Sequence, residues 1–318
     1  MSSINTNIAA MTALQSLNQT NKSMLVTQNR ISTGLRVGNA SDNAAYWSIA
    51  TTMRSDRSAV STVSDALGLG SATVDVAMQG MEGAIKIAGQ IKDKLLAARA
   101  PGLDRGKIQS EITQLQESLR SAVSTSNFSG QNWLAADGAD STRSLVSSFS
   151  RDASGNISVG TISVDLSKTR LLDTGSGTTG ILDSMITAAS GGADFRIVPE
   201  DDGSGTPDPD AINISTLTDD SQANLDRIED FIKGVDSAIA KMTDGATVLG
   251  AVKSRIDMQK DFADNLMDAI DTGIGQLVDA DMNEESTRLQ ALQVRQQLGV
   301  QALGMANQSA QSILSLFR

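Results

Sequence analysis

Between Ile4 and Leu35 a stripe of large apolar side chains runs through Ile4, Ile8, Met11, Leu14, Leu17, Met24, Ile31 and Leu35. Steps of three and four dominate, and Asn21 and Gln28 fill two turns of the same stripe, so the spacing predicts an amphipathic helix with a coiled-coil-like seam. At ~1.5 Å per residue, about thirty residues make a rod of roughly 45 Å. The remaining positions are mostly uncharged Asn, Gln, Ser and Thr. Solvated helix faces usually carry Lys and Glu, so this helix is expected to meet protein on several sides.

Gly34 and Gly38 interrupt the stripe, and Asn39-Ala40-Ser41-Asp42-Asn43 reads as a turn with N-cap chemistry. A second helix is expected from about Ala44 to Arg99, with Val74, Met78, Met81, Ile85, Ala88 and Leu95 at helical spacing. Ala100-Pro101-Gly102 ends it, because Pro lacks an amide donor and Gly accepts left-handed dihedrals. Ile108, Ile112, Leu115, Leu119 and Val123 mark a shorter returning helix.

From Phe128 to Leu217 helical periodicity gives way to Gly, Ser, Thr and Asp, with candidate strands at 144–149, 161–166, 195–198 and 211–214. Helix resumes from about Asp219 to Gly273, and a last helix spans about Met282 to Phe317. One face of that last helix carries Ala291, Val294, Leu298, Ala302 and Met305, and another carries Leu292, Leu303, Leu314 and Phe317. The fold class expected is mainly α, with long terminal helices, a helical rod and a small β-containing central outer domain. The segments are 1–44, 45–135, 136–218, 219–273 and 274–318. Isolated helices are marginal in water, so the two terminal arms should order by packing on each other.

Composition narrows the function classes. The chain has 318 residues, 40% hydrophobic but only 3% aromatic, which suits slender helical packing. A net charge of −11 argues against nucleic acid and against docking on anionic lipid, so neither is expected as a partner. The absence of His and Cys removes the commonest general base and metal ligand, thiol nucleophiles and disulfides. No basic n-region precedes an apolar run, and no stretch is apolar enough to span a bilayer, which by itself reads as cytoplasmic.

Candidate chemistry is thin. The carboxylate pairs Asp279/Asp281 and Glu284/Glu285 stand where a helix begins, so capping and dipole compensation explain them better than acid–base or metal work. Asp152-Ala153-Ser154-Gly155-Asn156 and the acidic 201–210 loop lack the full EF-hand spacing with its distal Glu and read as solvated turns. No Gly-rich loop has phosphate-cradle form. No enzyme, metal or cofactor is expected.

Motifs at both ends resemble bacterial flagellins. They are Ile4-Asn5-Thr6-Asn7 with Ala9-Ala10 and Leu14, Arg30-Ile31-Ser32-Thr33-Gly34-Leu35-Arg36-Val37, and Ala40-Ser41-Asp42-Asn43-Ala44-Ala45. Near the C-terminus they are Ile274-Gly275-Gln276-Leu277-Val278-Asp279-Ala280-Asp281-Met282 and the tail from Ala306 to Arg318. Asn127-Phe128-Ser129-Gly130 with Trp133-Leu134 resembles the turn leaving the family's rod, and Tyr46-Trp47-Ser48-Ile49-Ala50 resembles alphaproteobacterial members.

The resemblance implies a filament subunit for swimming motility that polymerises through paired terminal helices. Filament-core packing falls on Ile4, Ile8, Met11, Leu14, Leu17, Met24, Ile31, Leu35, Leu289, Leu292, Val294, Leu298, Leu303, Ile313, Leu314 and Phe317. It implies a homopolymer, with sister flagellins as co-assembly candidates. The further partners it implies are the flagellar export apparatus, an export chaperone, and hook-associated junction and cap proteins. It also implies secretion to the extracellular flagellum without a cleaved signal peptide, reversing the cytoplasmic reading. In many family members the helix matching 79–97 carries an Arg-rich surface read by the flagellin-sensing Toll-like receptor. Here that surface is Lys86, Ile87, Gln90 and Ile91 without those Arg residues, so weak recognition is expected. The competing classes are a junction protein of the same axial structure, and a calcium-binding or catalytic module in the central segment.

Overall fold

The computed structural model describes residues 7–139, 141–152, 154–175, 179–199, 208 and 210–316, the last stretch as backbone alone beyond 308. The chain forms two compact units, one of Met1–Ser58 with Leu266–Arg318 and one of Ala59–Asn265. The helices are α1 (Ile8–Thr33), α2 (Ala44–Ala98), α3 (Arg105–Thr125), α4 (Gln222–Val278) and α5 (Met282–Leu316). Between α3 and α4 lie β1 (Asn127–Phe128), β2 (Gln131–Asn132), β3 (Ala135–Ala136), β4 (Thr142–Arg151), β5 (Ile157–Asp165) and β6 (Leu172–Asp173).

Helix boundaries follow local chemistry. The Asn7 side chain accepts the Ala10 amide at 3.0 Å to start α1, and Gly34 ends it at φ 72°. Asn43 caps α2 by accepting the Ala45 and Tyr46 amides, and Asp104 caps α3 by accepting those of Gly106 and Lys107. Gly102 at φ 79° makes the turn between α2 and α3. The break expected at Gly273 does not occur, and α4 continues to Val278. An interior glycine costs only about 1 kcal/mol against Ala, and burial of Ile274 and Val278 with Val37 and Ala50 outweighs that.

In the 59–265 unit, α2 buries Val63, Leu67, Val74, Ala77, Met81, Ala84, Ala88, Ile91 and Leu95. α3 contributes Ile112, Leu119 and Val123, and α4 contributes Ile228, Phe231, Val235, Ala238, Met242, Leu249, Val252 and Ile256. Steps of three and four are nearly unbroken on α2 and α4, the coiled-coil repeat. Met78 and Ile85, expected in this stripe, flank it half-buried, while Ala77 and Ala84 take the seam.

The central segment packs into the same core through Trp133, Leu134, Ile162, Leu166, Leu171, Leu182, Phe195 and Ile212. Polar side chains of α3 hold its backbone: Gln116 donates to Ile197 O at 2.7 Å, and Gln109 donates to Ile212 O and accepts from Ile214 N. The β4–β5 hairpin covers the expected 144–149 strand and all but the last residue of 161–166, Leu166 opening a 3-10 turn. Its antiparallel register runs from Thr142–Asp165 to Arg151–Ile157, with an irregularity between Val146 and Ser148. The other two expected strands reduce to isolated bridges, Ile186–Phe195 and Arg196–Ala211.

Candidate assembly interface

In the 1–58/266–318 unit, α1 and α5 run antiparallel. The row of α1 positions shielded from solvent is Ala10, Ala13, Leu17, Thr20, Met24, Thr27 and Ile31, with Asn21, Ser23 and Arg30 half-buried beside it. Those of α5 are Glu285, Leu289, Leu292, Gln296, Gly299, Leu303 and Ala306. Both sets alternate steps of three and four, which is the antiparallel coiled-coil pattern. Of these only Thr27, Glu285 and Leu292 are fully buried, so a single subunit removes little apolar surface from water along this seam.

Polar contacts set the register. The Asn7 side chain donates to Ala306 O at 3.0 Å, Gln296 donates to Asn21 Oδ1 at 2.9 Å, and Arg30 meets Glu285 Oε1 at 2.9 Å. Glu285 is buried, receives Arg288 at 3.4 Å as well, and leaves Oε2 without a hydrogen-bond partner. Polar groups at seam positions fix alignment at a cost in stability. At the base of the pair the backbones clasp: Arg36 N and Val37 N donate to Val278 O, and Ala280 N donates to Gly34 O. Beneath them Val37, Ala50, Ile274 and Val278 form a small core, braced by the two-oxygen contact of Arg57 with Asp271 at 2.7 and 2.8 Å. Asp281 accepts the Asn283 and Glu284 amides and so caps α5, with Glu284 and Glu285 in its first turn.

Residues 4–139 match the bacterial flagellin N-terminal helical region, and residues 232–317 match the bacterial flagellin C-terminal helical region. The chain is 47% identical to flagellin C of Rhizobium meliloti strain 1021, with 100% of both chains covered. It is 44% identical to a flagellin of Brucella melitensis and 42% to flagellin A of the same Rhizobium strain, again over 100% of each. The chain belongs to the bacterial flagellins. It is therefore a structural subunit of the extracellular flagellar filament, which serves motility, and its polymer partners are flagellin subunits.

The expected packing residues of this flagellin separate into two groups. Leu17, Met24, Ile31, Leu35, Leu289, Leu292 and Leu303 lie in or beside the α1–α5 seam. Ile8, Met11, Leu14, Val294 and Leu298 are 65, 63, 48, 54 and 57% exposed. Helical geometry places Ile8, Met11 and Val294 on the sides turned away from the partner arm, whereas Leu14 borders the seam and Leu298 lines a groove beside it. Leu25 and Val26 on α1 and Met305 on α5 join that outer set. Ile4 and Phe317, and the side chains of Ile313 and Leu314, lie outside the described residues. The seam positions Ala10, Ala13, Thr20, Thr27 and Gln296 escape a search for large apolar residues, although their three–four spacing was present to be read. One side of the pair carries a groove of about 840 Å³, lined by Thr12, Ser16, Thr20, Ser23, Leu292 and Leu298 among others.

The expected receptor surface on α2 needs correction at one position. Lys86 and Gln90 are exposed and Ile87 is half-buried, but Ile91 has no exposed surface. It is part of the core shared with α3 and α4 and cannot be presented to a partner. In the turn between β4 and β5, Asp152 accepts from Ser154 N, Asn156 N and the Asn156 amide at 2.8–2.9 Å, which holds its carboxyl below the usual range. Most of the acidic 201–210 loop lies outside the described residues. Among the described residues no cluster of acidic side chains could hold a metal ion, and no helix is long and apolar enough to cross a membrane.

Proposed function

We propose that the paired arms are the polymerising element, with the seam closing within a subunit and the outward apolar set closing between subunits. The observation that carries this is the row of large apolar side chains, Met11, Leu14, Leu25, Val294, Leu298 and Met305, left in solvent on both helices. A heterologous contact whose rotation does not close generates an open helix. In this reading 1–44 and 274–318 line the filament core, 45–135 and 219–273 form the rod around it, and 136–218 faces outward. The role is structural and not enzymatic. Export runs unfolded through the flagellar export apparatus without signal cleavage, a chaperone holds the C-terminal arm, and junction and cap proteins bound the polymer. Sister flagellins are candidates for co-assembly. Lys86, Ile87 and Gln90 offer the Toll-like receptor only a weak surface.

Electron microscopy under polymerising conditions tests the two contact types. Ile31→Asp breaks the seam and Leu298→Glu charges the outer face, and both are expected to abolish filaments while the 59–265 unit melts as in the parent protein. Normal filaments from Leu298→Glu would sink the proposed division.

A further inference from the structure

The first turns of α2 contradict the usual relation between composition and exposure. From Asn43 to Met53 the sequence is Asn-Ala-Ala-Tyr-Trp-Ser-Ile-Ala-Thr-Thr-Met, without a charge. Every residue from Ala44 to Ile49 is exposed, with Tyr46 at 41%, Trp47 at 37% and Ile49 at 49%. At 100° per residue, Tyr46 continues the stripe of Ala50 and Met53 one turn earlier, with Ile49 about 60° to one side and Trp47 about 100° to the other. The three large side chains therefore span about 160° of the helix. The Thr51 and Thr52 hydroxyls donate back to Trp47 O and Ser48 O at 2.7 and 3.1 Å, so they are already satisfied within their own helix. Within the segment, Ala50 and Met53 reach the small core with Ile274 and Val278. A broad uncharged face with three large apolar side chains in solvent calls for protein to cover it.

We propose that Ala44–Met53 is enclosed by a second copy of this chain in the polymer, with Tyr46 and Trp47 as its anchors. The inference rests on the polymerisation reading above and names a contact outside the α1–α5 pair. A second copy fits for three reasons. The segment follows α1 after the short connection 34–43 and lies in the same compact unit as the arms, so it continues the surface assigned to assembly. It offers no charge to steer a charged peptide or a lipid headgroup, and the chain's net charge of −11 opposes anionic membranes. Trp and Tyr are the side chains that concentrate binding energy at the centre of interfaces.

The chain's two tryptophans make the test direct, because Trp133 is 1% exposed and Trp47 is 37% exposed. Trp133→Phe leaves Trp47 as the sole indole. On polymerisation its emission should move to shorter wavelength and its acrylamide quenching should fall about twofold or more, as an indole leaving water requires. If Trp133→Phe does not fold, the difference between the parent protein and Trp47→Phe supplies the same quantity. Trp47→Ala, which lies outside the small core, should raise the critical concentration about tenfold with unchanged melting of the monomer. Filaments in which Trp47 quenches as in the monomer overturn this proposal and leave the arm reading standing. A spectral shift on adding neutral or anionic lipid vesicles, with none on polymerisation, overturns it too. Failure of the parent chain to form filaments at all overturns both.

Discussion

Glu285 concentrates the electrostatics of the arms in one carboxylate. Its side chain is 6% exposed, Arg30 at 27% provides its close contact, and one oxygen has no partner. Removing Arg30 leaves the buried carboxylate with its longer 3.4 Å contact to Arg288, a poorer compensation, and is costlier than removing both members of the pair. Arg30→Ala is therefore expected to raise the critical concentration for filament growth by about tenfold, some 1–2 kcal/mol. Arg30→Ala with Glu285→Ala should recover part of that loss, and sedimentation of polymer from monomer measures both. If the double variant assembles worse than the single, Glu285 has no destabilising burial of its own.

Asp183 gives the opposite kind of test at the same scale. Burial pushes its carboxyl upward, with Asp173 nearby adding to the shift, and Oδ1 has no hydrogen-bond partner. Because its folded-state pKa is raised, the folded chain binds more protons than the unfolded chain between the two values, so stability falls as pH rises through that window. Above the raised value the full penalty applies. Asp183→Asn keeps an oxygen for the Asp173 amide, which now donates to Oδ2 at 2.6 Å. The variant should melt higher than the parent at pH 7 and lose that advantage near pH 3, as calorimetry at the two pH values would show. An equal difference at both would mean that ionisation is not the cause.

At the scale of elements, small residues decide how closely the helices approach. A Cβ on Gly245 of α4 would fall 2.7 Å from Lys168 O and 3.1 Å from Met81 Cε, and a backbone carbonyl cannot swing aside. Gly83 of α2 has nothing within 4 Å of the same position. Gly245→Ala is thus expected to destabilise the monomer by about 1–3 kcal/mol through overpacking, whereas Gly83→Ala should stabilise it by up to ~1 kcal/mol through helix propensity. Thermal melts of the two variants should move in opposite directions. Helix existence and most ends were legible, because Asn43, Gly34 and Gly102 are local signals whose chemistry does not depend on the rest of the fold. The seam was legible only in part. Met78 and Ile85 outweigh Ala77 and Ala84 in hydrophobicity, yet close approach puts the alanines inside. The strands expected at 195–198 and 211–214 were apolar for a different reason: they are buried beside α3, whose side chains satisfy part of their backbone. On the arms, large apolar residues were expected to mark the intramolecular seam, but most of Ile8, Met11, Leu14, Val294 and Leu298 point away from it. Sequence spacing cannot say which of two apolar faces closes within a chain and which closes between chains.

At the scale of the whole molecule, that ambiguity becomes a question about which copy supplies each arm's partner. Gln296 and Asn21 face each other across the seam at 2.9 Å although they lie at opposite ends of the chain. The sequence contains no Cys, so thiols can be placed there without background. A variant with Asn21→Cys and Gln296→Cys, treated in assembled filaments with a short bismaleimide, is expected to give mainly a cross-linked monomer with altered gel mobility. Joining such distant positions also removes conformational freedom from the dissociated chain, by an amount that grows slowly with loop length. Cross-linked subunits should consequently re-polymerise at a lower critical concentration than untreated ones. A ladder of covalent dimers and higher species would instead show that α1 of one subunit pairs with α5 of its neighbour. The seam and the outward face would then exchange roles, and Ile31→Asp would be the substitution that cuts contacts between subunits.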